Sequence, residues 1–381
     1  IDALITDLGL VAGETPVRER PDWAPLRKVL VPDWDPQVLP QLRAAEPNLR
    51  LLDKPAVDTL RLNPLAFPRN PYHHLVKHYQ DGQLLGNRRN DPLLDSELVL
   101  RVFLDQEVAL KAMQESNPDL LLAWHWLTTQ DGKVSGLNRF FMVVRRASAP
   151  REFEAKAAIG RLLDGAACRH ASARLIEEAA AEAERVAWPL AYALAWLSVA
   201  GGNSVIPPWV RHQFPEAGRL VRLLRDTPCG ELVCDWCRRE YDALTQLQYW
   251  FGQRYDFRPE PKDTSSGQPL QKVIVEAAMR GEHSLGILPT GTGKSLCYQV
   301  PALSRFVRTG ALSIVISPLV ALMEDQVKGL RERGIESCAA INGLLSMPER
   351  ADVLDRVRLG DIGILLIAPE QLRNKSVRKV L

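Results

Sequence analysis

Beyond residue 270 the chain repeats one pattern. Short apolar runs, SLGILPT, ALSIVISP, IESCAAIN and IGILLIAPE, alternate with amphipathic stretches of helical spacing. Such runs fit a parallel sheet covered on both faces, and right-handed crossovers then make the domain doubly wound α/β. The first run ends in Pro-Thr-Gly-Thr-Gly-Lys-Ser (289–295) and turns helical at once. Glycines there allow a tight turn and bring backbone N–H groups close to a ligand. A helix start adds unpaired donors and the positive end of a dipole. Thr290, Gly291, Thr292, Gly293, Lys294 and Ser295 therefore read as a phosphate loop. Lys294 is expected on the β- and γ-phosphates and Ser295 on Mg²⁺, so ATP with Mg²⁺ is the expected cofactor. The strict signature has a glycine where this chain has Leu288, so the match is to the shorter form Thr-Gly-x-Gly-Lys-Ser.

The rest of the chain reads differently. Residues 1–150 are mixed and Pro-rich, an α+β accessory region without a motif that carries chemistry. RNPYHHLVKHYQDG and GNRRNDP read as loops, and His73, His74 and His78 as surface residues. SELVLRVFLDQEVALKAMQES (96–116) has helical spacing, while LNRFFMVVRRAS (137–148) fits a strand or a short helix. Residues 151–257 turn rich in Ala, Glu, Arg and Leu, which favours helix. The most apolar stretch, VAWPLAYALAWLSVA (186–200), is shorter than the ~20 residues a membrane span needs and is interrupted by Pro189, so it reads as a buried core helix. No membrane partner is expected. RPEPKDTSSGQPL (258–270) reads as a linker or surface loop, which leaves 271–381 as the ATP-binding part. The net charge of +2 excludes a globally basic nucleic-acid binder, so any such contact must be local. The chain begins at Ile1 with no signal-peptide pattern, and it reads as a fragment or processed product.

Six cysteines are too few and too uneven for a secreted disulfide framework, so a reducing cytoplasm is the expected compartment. Three of them, Cys229, Cys234 and Cys237, follow the spacing C-x4-C-x2-C. With Cys168 as a distant fourth ligand they fit a [4Fe-4S] cluster. The same thiolates, with Cys168 or His170, also fit a structural Zn²⁺ site, and three unliganded thiols are the third reading. Cys297 and Cys338 sit in apolar texture and read as core.

Three blocks, PTGTGKSLCYQVPAL (289–303), SPLVALMEDQV (317–327) and IAPEQL (367–372), resemble the first motor domain of superfamily 2 helicases, and most closely the RecQ group of DNA helicases. The resemblance implies an incomplete RecA-like domain that couples ATP hydrolysis to 3′–5′ translocation on DNA. It implies an adenine contact by Gln271, which stands 23 residues before Lys294 and follows a Phe257-Arg258 pair; Gln268 competes for the role. It implies contacts to single-stranded or duplex DNA phosphates from Ser317, Pro318 and Leu319, and from Pro369, Glu370 and Arg373. The family usually has Arg where this chain has Gln371. The family's acidic Asp-Glu-x-His block is not found after 367–372, so this stretch alone is expected to bind nucleotide at most. An ATP-gated sensor or remodeller and a non-enzymatic scaffold are the alternatives.

Overall fold

The computed structural model describes residues 57–70, 92–130, 136–200, 206–231 and 233–381. The histidines at 73, 74 and 78 lie outside them. The first helices are α1 (Thr59–Ala66), α2 (Pro92–Ser116), α3 (Pro118–Thr128), α4 (Gly136–Arg145) and α5 (Glu152–Leu163). They are followed by α6 (Arg169–Ala181), α7 (Ala183–Leu197), α8 (Pro208–Gln213), α9 (Glu216–Arg225), α10 (Asp235–Tyr241) and α11 (Ala243–Phe251). The remainder is α12 (Leu270–Met279), α13 (Leu296–Thr309), β1 (Ser313–Ile316), α14 (Val320–Arg331), β2 (Cys338–Ile341), α15 (Met347–Leu359), β3 (Ile364–Ile367), a 3-10 turn (Pro369–Arg373) and α16 (Lys375–Val380). Before β1 the described residues hold helices and no strand. The stretch that fitted strand or helix is the helix α4.

Two compact units are built from interleaved segments. One takes 1–162, 175–195 and 206–217. The other takes 163–174, 196–205 and 218–381, so the cysteine-bearing segments and the phosphate loop share one unit. The first unit is helical, with Leu62, Leu65, Leu110, Leu121, Trp124 and Phe141 fully buried. Trp124 Nε1 donates to the Ala191 carbonyl at 3.0 Å, which ties α3 to the buried helix α7. No helix among the described residues is long and apolar enough to cross a membrane.

The second unit carries the sheet, three parallel strands in the order β1-β3-β2. All four residues of the central strand β3 are buried. Its side chains alternate between two cores, as the pleat requires. Ile364 and Leu366 join Leu303, Met323 and Val327 from α13 and α14. Leu365 and Ile367 join Val353, Leu354 and Val377 from α15 and α16. Both faces of β3 are thus covered, as a doubly wound domain demands. α15 begins with a capping box between Ser346 and Glu349 and ends at Gly360 in the left-handed region, so its limits are written locally.

The expected strand 284–290 departs from the sequence reading. It has no ladder partner and forms no strand. Leu285 and Ile287 are 89% and 79% exposed, and on β1 Ile314 and Ile316 are also exposed. A cavity of about 420 Å³ separates residues 284–288 from β1 and is lined by Gly286, Leu288, Ser313 and Val315. A strand is defined by its neighbour, and apolar sequence alone does not provide one.

Candidate nucleotide-binding site and cysteine centre

The loop 289–295 leads directly into α13. Gly291 (φ 81°) and Gly293 (φ 75°) adopt the left-handed conformation that the turn needs. Thr292 Oγ1 donates to the Pro289 carbonyl at 2.7 Å, closing the turn on itself. Lys294 Nζ donates to the carbonyls of Leu288 and Pro289, both at 3.0 Å. Its ammonium therefore lies over the loop. Ser295 stands at the N-terminal boundary of α13 and makes no side-chain capping bond. Thr290 and Gly291 are exposed at the turn.

Gln271 is buried at the start of α12, and the structure brings it to the loop. Its Nε2 donates to the Gly293 carbonyl at 2.8 Å, and its Oε1 accepts from the Arg258 backbone N–H at 3.1 Å. The Arg258 guanidinium in turn donates to the Gly291 carbonyl at 2.6 Å. Gln268, the competing glutamine, lies in the turn that precedes α12 and is exposed. Arg258 was visible in the sequence only as a marker for the glutamine; its grip on the loop spans 33 residues and leaves no local signal.

The residues expected at DNA follow the C-terminal ends of the neighbouring strands β1 and β3. Ser317 follows β1, and Pro369 lies two residues beyond the end of β3, with Ile316 and Ile367 paired in register. The Leu319 N–H donates to Ser317 Oγ at 3.3 Å, which shapes the entry to α14. Pro318, Leu319, Pro369, Glu370 and Arg373 are exposed there, whereas Gln371 is buried. Gln326 on α14 accepts from Tyr298 Oη at 3.2 Å and Gln299 Nε2 at 2.8 Å, so α14 is tied to the helix behind the phosphate loop.

The four cysteines meet in the same unit. Cys234 is the N-terminal cap of α10, and Cys237 lies one turn further along. That places both sulfurs on one face. Gly230 (φ 80°) turns the chain between Cys229 and Cys234. Cys168 comes from the start of α6, where its N–H donates to the Leu224 carbonyl at 2.9 Å. The sulfurs of Cys168 and Cys234 are 3.8 Å apart, those of Cys229 and Cys237 3.7 Å, and all four lie within 4.8 Å of one another. These spacings are too long for a disulfide bond of about 2.05 Å. Burial pushes the Cys168 and Cys237 thiols up. At Cys234 burial also pushes upward, but the Cys237 N–H and the neighbouring thiols outweigh it and lower that thiol. Trp236 packs in the same cluster, with the guanidinium groups of Arg225 and Arg239 at 5.5 and 5.0 Å from its ring. Cys338 is buried in the sheet core and donates to the Ile335 carbonyl at 3.3 Å, while the part-buried Cys297 lines the cavity beside the loop.

Comparison with known proteins agrees with this geometry. Residues 268–380 match the DEAD/DEAH box helicase family. This segment is similar to the helicase domain of RecQ-type proteins. The chain is 36% identical over 138 residues to the probable ATP-dependent DNA helicase RecS of Bacillus subtilis, which covers 36% of this chain and 25% of that protein. It is 40% identical over 105 residues to human ATP-dependent DNA helicase Q4 (28% of this chain, 8% of that protein). It is 37% identical over 106 residues to ATP-dependent DNA helicase RecQ of Haemophilus influenzae (28% of this chain, 16% of that protein). The matched part spans a quarter or less of the length of these relatives.

Proposed function

We propose that this protein works as an ATP-dependent DNA helicase of the RecQ type, or as part of one, with Mg·ATP held by the loop 290–295 and DNA phosphates at Ser317–Leu319 and Pro369–Arg373. The observation that carries this is the clasp of Gln271 and Arg258 on the carbonyls of Gly293 and Gly291. A glutamine reading adenine is thereby bonded to the loop that reads phosphate, so occupancy of one half is felt by the other. The similarity to proteins named ATP-dependent DNA helicases supports the same reading. An intact Lys294 and Ser295 speak against a scaffold with a dead site. We place the protein in a reducing cytoplasm, where thiolates stay available as ligands. The test is binding of a fluorescent ATP analogue with Mg²⁺. Lys294→Ala should weaken binding by about tenfold or more, and Gln271→Ala should erode the preference for ATP over GTP. Binding that ignores Lys294 sinks the assignment.

For the cysteine centre the sulfur spacing supports one zinc ion. Zinc–thiolate bonds of about 2.3 Å in a tetrahedron place the sulfurs about 3.8 Å apart. Two of the six sulfur pairs, at 3.7 and 3.8 Å, match that spacing. A multi-iron cluster sets irons and sulfides between some of its thiolates, and so spreads them beyond the 4.8 Å seen here. When bound, the cation would be held by Cys168, Cys229, Cys234 and Cys237 and would supply the charge that favours their thiolates. Metal analysis should find one zinc per chain and a colourless protein, with the zinc lost in Cys234→Ser. Iron with sulfide would establish the cluster instead.

A further inference from the structure

Both ends of α13 are held, and by different parts of the molecule. Its N-terminus is the phosphate loop. Near its C-terminus Arg308 is 1% exposed, although it carries a full charge. Arg308 Nε and Nη2 donate to Asp226 Oδ1 at 3.2 and 3.1 Å. Nη1 donates to the Glu240 carbonyl at 2.8 Å, and the guanidinium lies 4.7 Å from the centre of the Tyr241 ring. One turn earlier Arg305 donates to Asp226 Oδ2 at 3.1 Å, and Ser304 Oγ donates to Gln246 Oε1 at 2.7 Å.

The sequence positions of these partners matter. Asp226 is three residues before Cys229, and Glu240 and Tyr241 follow Cys237 by three and four. The socket for Arg308 is therefore made of the two chain segments that enter and leave the cysteine centre. A metal that joins Cys229 to Cys237 fixes those segments relative to each other. Without it the two segments are joined by the 3.4 Å bond from Tyr241 Oη to the Arg225 carbonyl and by Arg225 against the Trp236 ring, and a buried guanidinium whose socket loosens must move toward water. α13 has 14 residues with Pro301 inside it, where one backbone hydrogen bond is missing, but it remains one continuous helix from Ser295 to Arg308, so a shift at Arg308 is carried toward Ser295 and Lys294.

We propose that Arg308 is a positioning residue through which the metal at the cysteine centre sets the affinity of the nucleotide site. This rests on the zinc and nucleotide readings above. The test measures binding of the fluorescent ATP analogue with Mg²⁺ to zinc-loaded and chelator-stripped protein, for wild type, Arg308→Met and Arg308→Lys. Stripping should weaken binding to wild type by about tenfold. Arg308→Met should be weak even when loaded and should lose nothing further on stripping. Arg308→Lys should recover part of the affinity and part of the response. Equal binding by loaded and stripped wild type overturns the proposal, as does an Arg308→Met protein that still responds to metal. If loaded protein binds no nucleotide, the nucleotide reading has failed, and the coupling is read from amide hydrogen exchange in 296–309. Faster exchange there on stripping supports it, and unchanged exchange overturns it. A protein that holds no metal overturns the zinc reading and the coupling together.

Discussion

Single residues show how far local chemistry reaches in this chain. The glycines at 291 and 293 are needed where they stand, because the turn uses positive φ there. A Cβ at 293 would also come within 3.0 Å of Gln271 Nε2. Gly363 has a different reason. A Cβ there would sit 2.5 Å from Phe306 Cγ, on the face where α13 approaches the start of β3. Gly363→Ala should cost about 1–3 kcal/mol by overpacking. Urea unfolding of the variant checks this, and an unchanged midpoint would refute the contact. Nothing in the local sequence marks Gly363 as special, since its constraint comes from a helix more than 50 residues away. Gln271 lies between these cases: its spacing from Lys294 pointed to it, but only the fold shows its amide bonded to the loop.

At the scale of elements, helices were legible where their signals are local. The capping box of α15, the glycine end of α13 and the apolar stripe of α7 are all written within one segment. The strands β1, β2 and β3 were legible as apolar runs flanked by turns. The same signal misled at 284–290, because a strand also needs a partner and none lies beside this run. Leu285, Ile287, Ile314 and Ile316 consequently remain exposed, while Leu288 is buried beside the cavity. The C-x2-C pair was legible for a related reason: one helical turn brings two sulfurs to one face without help from the rest of the chain.

Over the whole molecule, the two units meet different physical demands. The helical unit buries a neutral imidazole at its centre. His125 is fully buried; its Nδ1 accepts from Arg145 Nη1 at 2.7 Å, and its Nε2 faces Asn138 Oδ1 at 2.7 Å. Arg145 can only donate, so the proton of the neutral ring is on Nε2. Burial pushes this histidine down to about 4. The unfolded chain, with an ordinary value near 6.5, then binds the extra proton between those limits. Stability from this site is complete above about pH 6.5 and is lost as pH falls toward 4, by up to about 3 kcal/mol. Unfolding measured from pH 4 to 8 should show a shallower pH dependence for His125→Gln than for wild type. Parallel curves would remove His125 as the cause. What the sequence determined by itself was whatever repeats or closes within a few residues: the α/β alternation after 270, the phosphate loop, and the pairing of Cys234 with Cys237. Cys168 was a candidate from the sequence, with His170 beside it, and tertiary structure chose it by bringing it across 66 residues to Cys234; tertiary structure alone decided that Asp226 crosses 82 to hold Arg308 and that 284–290 stays unpaired. Contacts at such separation depend on how whole elements pack, and packing is set by the sum of many buried surfaces rather than by the spacing of residues along the chain.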